Sequence, residues 1–216
     1  MALAEDVAAE RAALTDALSA TGASAPAGCG TWTARDLAAH LVAQERLGGL
    51  STFVARSLVA RRIAVPAPPW LVEFAIRREH ASGFTDLIDR LRLPVPRLLL
   101  RSRVAPLTLF EYWTHHDDLA AVNAAVHAAP PTLVQAIPPL LRYQFAKLPA
   151  GVAVTVGTDD GRVLASVGPR AEQAVLVRGT PANLVRWLAG RHTRADVELA
   201  GPAVRVQELR TFEGHV

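Results

Sequence analysis

Thr108-Leu-Phe-Glu111-Tyr-Trp113-Thr-His115-His116-Asp117-Asp118 is the stretch on which the reading of this chain depends. A glutamate and a histidine four apart on a helix stand one above the other, about 5–6 Å apart at Cβ. Glu111 and His115 can therefore reach one metal ion, provided a neighbouring element supplies a third ligand. His116 lies about 100° further round the helix, so His115, which shares the face of Glu111, is favoured over it. The helix is expected to begin near Pro106, a residue tolerated at a first helical position, and to run to about Ala125. Its inward line is Leu107, Glu111, Thr114 or His115, Asp118 and Val122. A carboxylate on such a line needs a partner, because an unpaired buried charge is very costly.

The candidate third ligand is His40, in Trp32-Thr33-Ala-Arg-Asp36-Leu37-Ala-Ala-His40-Leu41. Thr33 and Asp36 read as a capping box, in which the threonine oxygen caps free N–H groups and the aspartate suits the positive helix end. Leu37, His40, Leu41, Gln44 and Leu47 share one face of the helix that follows, so His40 is expected to point inward. Before it, residues 2–20 place Leu3, Val7, Leu14 and Leu18 on one stripe of an amphipathic helix, with Glu5, Asp6, Glu10 and Arg11 on other faces. Bundles build metal sites in this way, from carboxylates and histidines projecting inward from facing helices.

The remaining segments complete the outline. The second helix is expected to run past Gly48-Gly49 to about Arg62, and Pro66, Pro68 and Pro69 then stiffen the chain. A third helix is expected from Trp70 to Leu91, weakened at Gly83, with Phe74, Phe84, Leu87, Ile88 and Leu91 as core candidates. A further helical segment, Thr132 to Lys147, is expected to be interrupted at Pro138-Pro139. From Val152 the period changes to two, with a hairpin turn at Thr158-Asp-Asp-Gly161 and strand patterns at Val163, Ala174–Arg178 and Val197–Leu199. Thr180-Pro181 opens a short helix that Gly190 closes. The fold class expected is α+β: a helical bundle over 1–148 followed by a small α+β domain over 149–216.

Composition narrows the function. Half of the 216 residues are hydrophobic and a fifth are charged, ordinary values for a globular protein. The formal charge is +3, carried by arginines with Lys147 the only lysine. No long basic run interleaved with aromatics occurs, so nucleic acid is not an expected partner. No membrane span or signal peptide is expected, and the single cysteine, Cys29, fits a reducing cytoplasm. Phosphate loops, Gly-x-Ser-x-Gly elbows and paired-cysteine zinc motifs are absent from the sequence. His80, His127, His192 and His215 have no partners at ligand spacing.

The segment from Cys29 to Leu41, taken with Phe110 to Asp118, resembles the mycothiol-dependent maleylpyruvate isomerase family. That family lies within the DinB-like group of metal-binding four-helix bundles. Val177-Arg-Gly179-Thr-Pro-Ala-Asn-Leu184-Val-Arg-Trp187-Leu188-Ala-Gly190-Arg191 resembles the sterol-carrier-like domain that many members carry. The resemblance implies a divalent metal, usually zinc, held by His40, Glu111 and His115, with mycothiol as thiol cosubstrate. A His₂Glu set leaves a coordination position open, which is the catalytic rather than the structural arrangement of zinc. The expected function is isomerisation or thiol transfer to a small electrophile, with a small-molecule substrate and a low-molecular-weight thiol as partners. The alternatives are a non-catalytic metal- or ligand-binding protein, and a homodimer assembled through helical faces.

Overall fold

The computed structural model describes residues 2–46, 50–60, 74, 76–145, 152–168 and 174–211. Helices α1 (Ala2–Thr21), α2 (Ala34–Gln44), α3 (Leu50–Ala60), α4 (Phe84–Arg92) and α5 (Ala105–Val122) come first. They are followed by α6 (Ile137–Gln144), the hairpin of β1 (Val154–Gly157) and β2 (Val163–Val167), then β3 (Val175–Arg178), α7 (Pro181–Leu188), β4 (Glu198–Ala200) and α8 (Ala203–Thr211). The chain is an α+β protein made of two compact units, Met1–Leu58 with Val65–Thr132 and Val59–Ala64 with Leu133–Val216. The division falls after Thr132, earlier than the 148/149 boundary expected from the change of period. The reason is that α6 packs against β2 and α7.

In the first unit α1 lies along α5 and also meets α4 and α2, while α2 packs on α4. These four helices form the bundle. Val7, Leu14 and Leu18 of α1 are fully buried with Leu37 of α2, Leu87 of α4, and Leu109 and Trp113 of α5. Each aliphatic side chain so buried contributes about 1.5–3 kcal/mol. The capping box forms: Thr33 Oγ1 accepts from Asp36 N–H at 3.3 Å, and the Asp36 carboxylate accepts from Thr33 N–H at 2.8 Å.

Several expectations about this unit are corrected. Glu10 and Arg11 do not sit on solvent faces of α1; both are buried. Arg11 forks onto the Glu45 carboxylate at 2.8 and 2.5 Å and also donates to the Leu93 carbonyl at 2.5 Å. Tyr112 donates to the same carboxylate at 2.5 Å, so the charge taken into the bundle is paired. Helix α2 stops at Gln44, capped by Glu45, and α3 is a separate helix. Residues 76–79 are helical, but Gly83 caps a new helix rather than sitting inside one. Phe74 is exposed, and so is Val122 on α5. Trp70, the three prolines before it, Gly48-Gly49 and Lys147 lie outside the described residues.

The second unit holds a four-stranded sheet in the order β2-β1-β3-β4. β1 pairs antiparallel with β2 (Val154↔Val167) and parallel with β3 (Val154↔Val175), and β3 pairs antiparallel with β4 (Leu176↔Ala200). Val154, Val156, Val175 and Val177 are fully buried on one face of this sheet. Pro138 and Pro139 occupy the first turn of α6, where missing N–H groups cost nothing, so they start that helix instead of interrupting it. Thr180 caps α7 as expected, accepting from Asn183 N–H at 3.3 Å. No helix among the described residues is long and apolar enough to cross a membrane.

Candidate metal centre

The capped start of α2 fixes the rotation of that helix and carries His40 toward α5. Glu111 and His115 meet it there. Glu111 Oε1 lies 3.2 Å from His40 Nε2 and 3.2 Å from His115 Nε2. The side chains are 13, 21 and 12 % exposed for His40, Glu111 and His115, so the group is largely dry but reachable from one side. Tetrahedral zinc with ligand bonds of about 2.0–2.2 Å has ligand–ligand edges of about 3.3–3.6 Å. The 3.2 Å separations therefore fit such an ion with only small adjustments. Gln44, one turn after His40, donates its amide to Glu111 Oε1 at 2.5 Å and stands 2.6 Å from His40 Nε2. Trp32 walls the site, its ring 5.0 Å from that of His40 and stacked 6.5 Å from that of His115.

The second ring nitrogen of His115 faces Cys29. Sγ lies 3.4 Å from His115 Nδ1 and donates to Asp118 Oδ2 at 3.4 Å. Cys29 is half-buried. Burial alone would depress the His115 pKa. Its hydrogen bonds to Cys29 and Glu111, with the charge of Glu111, instead raise it to about 10 in the metal-free site. A metal ion bound at Nε2 competes with that proton.

His116 turns away from this group, toward α1. Its Nδ1 lies 2.7 Å from Glu10 Oε1, and the same oxygen lies 2.9 Å from His127 Nε2. His127 Nδ1 is 3.9 Å from Asp117 Oδ1, and its ring stacks on Trp113 at 5.3 Å. His127 thus has partners that sequence spacing does not show, and so does His80, whose Nε2 lies 2.8 Å from Asp36 Oδ1. His116 and Asp117 belong to a second, largely buried cluster. Burial opposes charge on His127, but the carboxylates of Asp117 and Glu10 facing its two ring nitrogens raise its pKa to about 9. Burial raises the Glu10 pKa, and the bonds to His116 and His127 outweigh it, leaving that pKa lowered. His215 lies outside the described residues.

Three residues of these sites escape sequence reasoning. Gln44 carries a signal, its i,i+4 spacing from His40. Glu10 carries one too, since it falls three residues after Val7 and four before Leu14 on the buried line of α1. His127 follows the end of α5, where periodicity gives no cue.

A four-helix bundle with an inward His–Glu–His group and a second unit with a small mixed sheet place the chain in the α+β class. Within it the chain shares the fold of the mycothiol-dependent maleylpyruvate isomerase, whose crystal structure superposes with a TM-score of 0.60 over 93 % of each chain at 15 % identity. A histidine-to-alanine variant of that enzyme superposes with a TM-score of 0.58, also over 93 % of each chain, at 16 % identity. No protein-family model and no curated protein matches the chain.

Proposed function

We propose that this protein is a metal-dependent enzyme that uses a low-molecular-weight thiol of the mycothiol type. It would isomerise a small electrophile or transfer the thiol to it. The observation that carries the reading is the meeting of His40, Glu111 and His115 at ligand-edge distances in a largely dry site. The shared fold supports it. A divalent ion held by these three residues, zinc by the family resemblance, would act as a Lewis acid that lowers the pKa of a coordinated thiol. The protein's own contribution is placement. Glu111 supplies negative charge that balances half of the ion's, Trp32 excludes water from one side, and Cys29, itself bonded to Asp118, holds His115 in orientation through Nδ1. The second unit, in this reading, is the sterol-carrier-like domain of that family.

The test is elemental analysis beside turnover. Purified protein dialysed against zinc is expected to carry an ion at this group that His40→Ala and Glu111→Ala lose while keeping their helical circular dichroism. It is also expected to turn over an α,β-unsaturated acid only when mycothiol is present, either isomerising it with the thiol regenerated or consuming the thiol as an adduct. A folded wild type that takes up no metal at this group would sink the proposal. Metal without turnover across a panel of electrophiles would leave only a metal- or ligand-binding protein.

A further inference from the structure

We infer that Glu10, His116 and His127 form a second divalent-cation site, distinct from the first and built on the other side of the same helix. Successive residues on an α-helix point about 100° apart, so His115 and His116 serve different sides of α5. The second site repeats the donor chemistry of the first: two imidazoles and one carboxylate, a set suited to zinc or cobalt. The donors come from three places, α1, α5 and the segment after α5, yet one ligand atom from each lies within 4.8 Å of the others.

The arrangement around the donors is that of a ligand cage rather than a solvated ion pair. Glu10 is 8 % exposed as a residue and the His127 side chain is 7 % exposed. His127 turns Nε2 toward Glu10 at 2.9 Å, while its buried Nδ1 faces the Asp117 carboxylate at 3.9 Å, the side from which a carboxylate can orient a ligating histidine. Trp113 covers the ring face. Charge also balances: a divalent ion, the Glu10 carboxylate and the Asp117 carboxylate sum to zero with both imidazoles neutral. The present separations of 2.7 and 2.9 Å are hydrogen-bond lengths. An ion entering displaces the shared protons to solvent and opens these separations toward the edges of about 3.3–3.6 Å that tetrahedral ligands require. That is a movement of under an ångström, within the reach of the side-chain torsions of Glu10.

Metal stoichiometry on the full-length chain decides the matter. After equilibrium dialysis against zinc the wild type is expected to hold two ions per chain. His40→Ala is expected to retain one, His127→Gln one, and the double variant none. Cadmium-113 resonances assign them, since two signals are expected in the wild type and each single variant should lose a different one. Should His127→Gln fail to fold, Glu10→Gln and the His40→Ala stoichiometry carry the test. A wild type that saturates at one ion, lost in His40→Ala, overturns the second site while leaving the first intact. A second ion that survives both His127→Gln and Glu10→Gln overturns it as well. Loss of the first ion alone would show as wild type and His40→Ala both holding one ion that His127→Gln removes.

Discussion

At Gly28 the backbone runs at φ +76° and an added Cβ would stand 2.3 Å from the Asp118 carbonyl oxygen. The loop before α2 can lie against α5 only because that atom is missing, and this approach delivers Cys29 to His115 and Asp118. Gly28→Ala is expected to lose the left-handed conformation, which costs about 1–2 kcal/mol for a residue with a Cβ, and to suffer the clash in addition. Gly22→Ala is the control, because Gly22 has φ +83° with nothing within 4 Å. Chemical denaturation should show Gly28→Ala as the less stable of the two, with a changed rate of Cys29 alkylation. Equal stabilities would mean that the loop can back away from α5. At this scale the sequence is readable where a polar residue breaks an apolar line, as Glu111 does. Glu10 breaks one too, but Glu5, Asp6 and Arg11 around it present the appearance of a solvated face. His127 is positioned by tertiary structure alone, through Trp113, Asp117 and Glu10.

Among the elements, α2 shows both what local sequence encodes and where it stops. Its beginning is legible because Thr33 and Asp36 cap it within four residues. Its end is not, because Glu45 is held by Arg11 from α1 and Tyr112 from α5, neither of which a sequence window contains. The same distinction separates the hairpin turn at Thr158–Gly161, encoded by its own residues, from the placement of α6, which depends on packing against β2. Arg11 and Glu45 have side chains only 5 and 10 % exposed. Removing one partner leaves the other charged in a dry setting, at a cost of about 3–5 kcal/mol. Arg11→Ala is therefore expected to lower the unfolding free energy by that amount in urea titrations. Arg92→Ala, which removes an exposed pair with Asp89, should change it by less than about 1 kcal/mol. Near-equal effects would show that the buried fork contributes no more than a surface pair.

For the whole molecule, the two histidine clusters tie stability to pH and to metal in opposite directions. In the metal-free protein His115 and His127 have pKa values raised to about 10 and about 9 from 6.5. The folded chain thus binds protons more tightly than the unfolded one. A raised histidine pKa contributes stability that is complete below about 6.5 and is lost as pH climbs through the folded value. Chelated protein should accordingly become less stable from pH 6.5 to pH 9, by up to about 1.4 kcal/mol per pH unit for each histidine that stays protonated only in the fold. Metal-loaded protein should behave in the reverse sense over the same window. Ligation needs neutral imidazoles, so affinity rises with pH, and an ion at a hundred times its Kd adds about 2.7 kcal/mol. Urea unfolding at pH 6.5, 7.5 and 8.5, with and without chelator, measures both slopes. Parallel curves in the two conditions would mean that protons and metal do not compete at these histidines, and would remove the basis for placing metal at either cluster.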